Sequence, residues 1–243
     1  MSYAELSCMS NFSFLEGASH PEELVLQASL LNYNGIAITD ECSVAGVVRA
    51  FSQIKQDGLS IKLIVGSYFV YRSELVITLL CPNRKAYAEL CRVITNSRRR
   101  CDKGHYELSE WDLKSLKHCL VLWHAPSDRA KAQKWGEWLI GLNSTLRSRL
   151  WLAVTRQLTA KEHAYLDTCR AIAEQWQIPI VACGRVLMHN PERLALQHVL
   201  TATRLGTSVD KLGRQAISNG ERCLRPLSKL QKLYPEQWLF ETL

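Results

Sequence analysis

The sequence lacks any apolar run long enough to cross a bilayer. Its best stretch, residues 75–81, has the length of a strand, whereas a span needs about 20 residues. The opening Met1-Ser2-Tyr3-Ala4-Glu5 has neither a basic start nor a long apolar segment, so no secretory leader is read there. No two of the nine cysteines are separated by the two residues of a zinc knuckle or redox motif, and their number is odd. They are read as small core residues in a reducing cytoplasm, the expected compartment, with no membrane contact. Histidine is sparse at seven residues, and there is no internal repeat or low-complexity tract.

What is present is ordinary for a folded domain. In 243 residues, 47% are hydrophobic and 22% charged, which excludes a collagen-like, coiled-coil or largely disordered chain. Lys plus Arg is 30 and Asp plus Glu is 23, so the net charge is 30 − 23 = +7. That surplus suits a polyanionic partner and says nothing about the fold.

Strand and helix patterns alternate along the chain. Apolar runs predict strands at 3–8, 35–39, 61–65, 119–123, 150–154 and 178–182, with a hairpin pair at 68–71 and 75–80. Helices are expected at about 19–31, 43–56, 83–95, 127–140, 159–175 and 191–205, with a short one at 226–233. Ser19 is read as an N-cap, with Pro21 in the first turn and Glu22 completing a capping box. Residues 159–162, Thr-Ala-Lys-Glu, read as a second such box. Gly58 is read as a helix stop and Asn83 as a cap. The alternation implies a mostly parallel sheet with helices outside it, most economically closed into a barrel. The division expected is a barrel over 1–206 and a basic loop and helical linker over 207–243.

In a βα barrel the reactive groups follow the strands. The residues to inspect are Ser7, Cys8, Met9, Ser10 and Glu16 after the first strand, and Asp40 and Glu41 after the second. Gly66 and Ser67 follow the third, then His124, Thr155 and the run Gly184-Arg185-Val186-Leu187-Met188-His189. Only two of these are histidines, and Arg185 brings a fixed positive charge to the same rim. The rim does not read as a metal site.

At these residues the chain resembles a family. The run from Tyr3-Ala4-Glu5-Leu6-Ser7-Cys8-Met9-Ser10 through Glu16-Gly17-Ala18-Ser19-His20-Pro21 is similar to the opening of a PHP (polymerase and histidinol phosphatase) domain, as found at the N-terminus of bacterial error-prone C-family DNA polymerases. Ala37-Ile38-Thr39-Asp40, Leu63-Ile64-Val65-Gly66, Leu90-Cys91-Arg92-Val93-Ile94-Thr95, Ile178-Pro179-Ile180-Val181-Ala182 and Val199-Leu200-Thr201-Ala202-Thr203-Arg204-Leu205-Gly206 follow in family order. The resemblance implies a distorted seven-stranded βα barrel with a short helical C-terminal extension. It further implies a polymerase core beyond Leu243, used in damage-induced mutagenesis and translesion synthesis.

Set against the family pattern, the ligand positions have changed. The opening His-x-His is Ser7-Cys8-Met9, Thr-Asp-His is Thr39-Asp40-Glu41, Gly-x-Glu is Gly66-Ser67-Tyr68, and the late Asp-x-His is Arg185-Val186-Leu187. Glu16 and Asp40 remain as acids. The resemblance therefore implies a domain without catalytic residues and without a metal, in which Ser7, Met9, Glu16, Asp40, Glu41, Ser67, Arg185 and Leu187 occupy degenerate ligand positions. Arg185 is expected to replace the ions by pairing with Asp40, Glu41 or Glu16. The alternatives are a lone Mg²⁺ held through water by the three carboxylates, and an active metal-dependent phosphoesterase or 3′–5′ exonuclease. A free-standing barrel with a small-molecule ligand is a third reading.

No cofactor is expected in this segment, and Mg²⁺ is expected only in the polymerase core. The implied partners are the remainder of the polymerase chain, DNA and accessory proteins of the mutagenesis complex. Arg98, Arg99 and Arg100 with Arg92 and Lys103 form the densest basic cluster, read either as a phosphate-backbone contact or as a solvated helix end. Trp135 and Trp138 are read as core contacts. The tail with Leu230, Leu233, Trp238, Leu239 and Phe240 is expected to expose apolar surface for the missing core.

Overall fold

The computed structural model describes residues 2–240. Seven strands form one sheet in chain order: β1 (Ala4–Cys8), β2 (Gly35–Ile38), β3 (Lys62–Tyr71), β4 (Leu75–Cys81), β5 (Leu120–His124), β6 (Leu150–Val154) and β7 (Ile180–Ala182). All neighbours are parallel except β4, which runs antiparallel to both β3 and β5. The sheet curls until its ends meet. Met9 donates to the Val186 carbonyl at 2.9 Å and Val186 donates to the Ser7 carbonyl at 2.8 Å. The expected barrel is thus present, closed through the segment after β7.

Buried Glu5 fastens this seam. Its carboxylate accepts from the Gly184 amide at 2.9 Å, the Ser7 amide at 3.0 Å and the Tyr3 hydroxyl at 2.9 Å. A Cβ at Gly184 would lie 2.7 Å from a Glu5 oxygen, so a larger residue there would have to displace the carboxylate that fastens the seam.

Side chains alternate along each strand. Ala4, Leu6, Ala37, Leu80, Leu122, Ala153 and Val181 line the lumen. The opposite faces meet the helices in the main core, which contains Leu24, Ile36, Phe69, Leu90, Trp123 and Leu152. The helices are α1 (Pro21–Leu30), α2 (Ala45–Gln56), α3 (Arg84–Arg99), α4 (Glu110–Lys114), α5 (Arg129–Leu142), α6 (Glu162–Trp176), α7 (Leu194–Arg204), α8 (Leu227–Leu233) and α9 (Glu236–Phe240).

Several local expectations need correction. Helix α1 is capped by His20, whose amide donates to Glu23 at 2.8 Å; Ser19 instead exchanges hydrogen bonds with His189. Residues 159–162 form no capping box. Glu162 is the first residue of α6, and its carboxylate accepts from the amides of Gln157 and Leu158 and from Arg156. The predicted strands 61–65 and 68–71 are one strand. Gly66 lies inside it because β4 passes so close that a Cβ would sit 2.7 Å from the Leu79 carbonyl. Short α4, opened by a Ser109–Asp112 capping box, was not anticipated.

The C-terminal segment is not an exposed tail. Leu230, Tyr234, Trp238 and Leu239 are buried in the main core, and Arg225, 2% exposed, donates to the Arg156 carbonyl at 2.8 Å and the Tyr234 hydroxyl at 3.2 Å. The Phe240 side chain and residues 241–243 of the expected apolar tail lie outside the described residues. Trp135 is buried, and Trp138 stacks on Tyr71, as the core reading requires.

Candidate functional site at the barrel mouth

Strand β3 overshoots its parallel pairing with β2 and continues as a hairpin with β4, so residues 66–71 wall one side of the C-terminal rim. Across from it lie the loop of residues 9–20, the segment 184–189 and α7. Together they enclose a polar cavity of about 410 Å³ lined by Glu16, Glu41, Tyr68, Arg185, Arg204 and Arg222, among others. An adjoining cavity of about 370 Å³, also touched by Arg185, is lined by His124, Thr155 and Glu162.

The retained acids are each occupied. Asp40 is fully buried and faces away from the larger cavity into a cage of serines. It accepts from the Ser10 amide at 2.8 Å, the Ser10 hydroxyl at 2.8 and 3.0 Å and the Ser13 hydroxyl at 2.8 Å. Burial raises its carboxyl above the ordinary range, and the serine hydrogen bonds offset part of that rise. Glu41 accepts from the Tyr106 hydroxyl at 2.7 Å, and Glu16 is paired with Arg204. Ser67 donates to the Asp40 carbonyl at 2.7 Å and accepts from the Ser43 amide at 3.0 Å, which makes it a loop clamp.

Ser7 is buried at the seam. Met9 and Leu187 pack with Tyr68, Met188 and Cys223 in an apolar cluster under the mouth. Met9 and Leu187 therefore bring to the mouth no metal-donor atom suited to hard cations.

Arg185 does not pair with Asp40, Glu41 or Glu16 as expected. It adopts a left-handed backbone (φ 45°), lies with its guanidinium 5.6 Å from the centre of the Tyr68 ring and donates to the Tyr68 hydroxyl at 2.9 Å. The carboxylates were already committed to Arg204, Tyr106 and the serines, partners distant in sequence. Its Nε is buried without a hydrogen-bond partner. Arg222, which sequence reasoning passed over, donates from Nε to the Arg185 carbonyl at 2.9 Å. Burial and the neighbouring Arg185 push its titration down to about 9. His124 hydrogen-bonds Thr78 at 2.9 Å, and its Nδ1 has no partner. Burial, then Arg185 and Arg222, hold its ring well below the ordinary imidazole value, so it is neutral.

This donor set does not fit a divalent cation. Glu16 is paired with Arg204, Asp40 is enclosed by serines, Glu41 accepts from Tyr106, and three guanidiniums line the space where positive ions would have to gather. Among the described residues no three of His, Cys, Asp and Glu are grouped so as to hold a metal ion.

The basic cluster on α3 divides in two. Arg98 turns inward, donating to the carbonyls of Glu41, Cys42 and His105 at 3.2–3.3 Å and lying over the Tyr106 ring. Arg100 is tied to Asp112 and to the Glu107 carbonyl. Neither is free for a phosphate. Arg92, Arg99 and Lys103 are exposed and, among the described residues, make no ion pair. Lys85, Arg92 and Arg99 stand at intervals of seven and so share one side of α3. Lys117 joins Lys85 and Arg92 around a surface hollow of about 390 Å³.

The PHP domain profile matches residues 5–177. The chain is 56% identical over 243 residues to an error-prone DNA polymerase of Vibrio vulnificus, and 58% identical over 242 residues to one of Vibrio parahaemolyticus. A third, from Hahella chejuensis, is 40% identical over 251 residues. Each alignment takes in 100% of this chain, while the chain spans only 23–24% of the relatives' own length. Among solved structures, a candidate metal-dependent phosphoesterase from Bifidobacterium adolescentis shares the fold with a TM-score of 0.53 at 14% identity, covering 76% of this chain and 87% of that one. Profile, relatives and barrel agree: the chain belongs to the PHP domain family.

Proposed function

We propose that this chain is a non-catalytic PHP domain at the N-terminus of an error-prone DNA-directed DNA polymerase used in damage-induced, translesion synthesis in the cytoplasm. Its work there is to buttress the polymerase core, which supplies the Mg²⁺ chemistry, and to offer surfaces to accessory proteins of the mutagenesis complex and to DNA. The observation that carries this reading is the composition of the mouth. Metal-assisted phosphoester hydrolysis needs converging carboxylates and imidazoles to hold ions that activate water and stabilise the leaving oxygen. Here those positions hold Ser7, Met9, Ser67, Arg185 and Leu187, and the acids Glu16, Asp40 and Glu41 are bound to protein partners. Identity above 50% to error-prone polymerases supplies the context.

The rival is an active phosphoesterase or 3′–5′ exonuclease. Metal analysis of the purified chain together with an assay on single-stranded DNA and a chromogenic phosphodiester in Mn²⁺ separates the two. The expected result is no hydrolysis above the buffer rate. Mn²⁺-dependent cleavage that is lost in Asp40→Asn and Glu41→Gln would overturn the proposal.

A further inference from the structure

We propose that the mouth of this barrel has exchanged its charge preference and is a receptor for a tetrahedral oxyanion of the phosphate class, held by Arg222 and Arg185 without any metal. The inference rests on the non-catalytic reading above and says what the altered site binds.

The charge balance inside the cavity carries the argument. Three guanidiniums, those of Arg185, Arg204 and Arg222, face two carboxylates. Glu16 is neutralised by Arg204, and Glu41 is engaged by the Tyr106 hydroxyl. Arg185 and Arg222 make no ion pair among the described residues. The Arg222 side chain makes a single hydrogen bond among the described residues, from Nε, which leaves both of its terminal nitrogens to the cavity. A half-buried guanidinium with no counter-charge is incompletely hydrated, and an anion supplies the missing interaction. The depressed titration of Arg222 is the same deficit expressed in protons.

Geometry points the same way. The Nε of Arg222 is anchored on the Arg185 backbone carbonyl, both residues line the cavity, and Tyr68 holds the Arg185 guanidinium through its ring and hydroxyl. Planar guanidiniums offer paired donors that match the oxygens of phosphate. Gln197 lines the same cavity with its amide nitrogen bonded to Thr201, so it adds no charge beside the arginines.

The test is calorimetric titration of the 243-residue chain with inorganic phosphate at constant ionic strength in EDTA, repeated with sulfate, with chloride, and with Mn²⁺ in place of EDTA. Expected is one saturable phosphate site, shared with sulfate, indifferent to Mn²⁺ and weakened at least tenfold by Arg222→Gln. Arg185→Gln is the second variant, read if circular dichroism shows Arg222→Gln unfolded. Gln197→Glu should also weaken phosphate by placing a negative charge in the cavity. Absence of saturable binding, an equal response to chloride, or full affinity in both arginine variants overturns the inference while leaving the non-catalytic reading intact. Binding that requires Mn²⁺ and is accompanied by hydrolysis overturns both.

Discussion

His124 and Asp40 are displaced in opposite directions by one cause. Each is removed from water, and in each the neutral form gains. For His124 the folded value falls below 6.5. The stability tied to its neutral ring is present above 6.5 and is lost as the pH drops below that value toward the folded one. Its ring resonances are therefore expected to keep their neutral positions as an NMR titration passes through 6.5; a normal midpoint would show that the ring sees water. Asp40 behaves conversely. Its folded value lies above 3.8, so the stabilisation from holding its proton is complete below 3.8 and disappears as the pH rises through the raised value. Asp40→Asn has no such proton. Its urea midpoint should therefore rise relative to the parent as the pH climbs from 3.8 through the raised value, whereas a difference flat in pH would mean that the serine cage compensates the charge fully.

At the scale of the element, α3 carries two classes of arginine that the sequence presents as a single block. Arg98 serves three loop carbonyls, among them those of Glu41 and Cys42 at the mouth. Its removal leaves acceptors without donors, so Arg98→Ala should cost about 1–3 kcal/mol in a urea melt, while exposed Arg99→Ala should stay within about 0.5 kcal/mol. DNA binding should reverse that order. The Lys85, Arg92 and Arg99 side of the helix can reach about three phosphates of a single strand. The logarithmic salt slope is then about −2, and affinity falls roughly 16-fold between about 50 and about 200 mM salt. Charge reversal at Arg92 and Arg99 should abolish binding of a labelled oligonucleotide. Retention of binding, or an affinity independent of salt, would leave this face as solvated surface. A run such as Arg98-Arg99-Arg100 cannot disclose this division, because its partners, Cys42, Tyr106 and Asp112, are fixed by tertiary contacts. The strands were legible for the opposite reason. Runs such as 35–39 and 150–154 are short and apolar, and burial on both faces leaves few other ways to place them. Gly66 misled because a glycine that permits close strand approach looks the same in sequence as one that ends a strand. The resemblance assigns the ligand positions in chain order, but the partners of Glu16 and Glu41 come from Arg204 and Tyr106, on segments that sequence order does not bring together.

Across the whole molecule, closure depends on more than the seven strands. Glu5 holds the seam between β1 and the segment after β7, while Arg225 and the faces of α8 and α9 pack over the same side. If residues 207–243 served only to connect the barrel to a polymerase core, a chain ending near residue 206 would fold on its own. The buried faces of Leu230, Tyr234, Trp238 and Leu239 argue that it would not, since their removal exposes part of the main core to water. Trp238→Ala tests this without truncation. Replacing a buried tryptophan by alanine costs about 3 kcal/mol or more, and for a chain of this size each kcal/mol shifts the melting temperature by about 2–4 °C. A drop of roughly 6–12 °C is therefore expected by differential scanning calorimetry, against little change for Phe14→Ala, whose residue is 82% exposed. Equal melting temperatures for the two variants would mean that the barrel stands without its C-terminal helices, and that 207–243 is a connector after all.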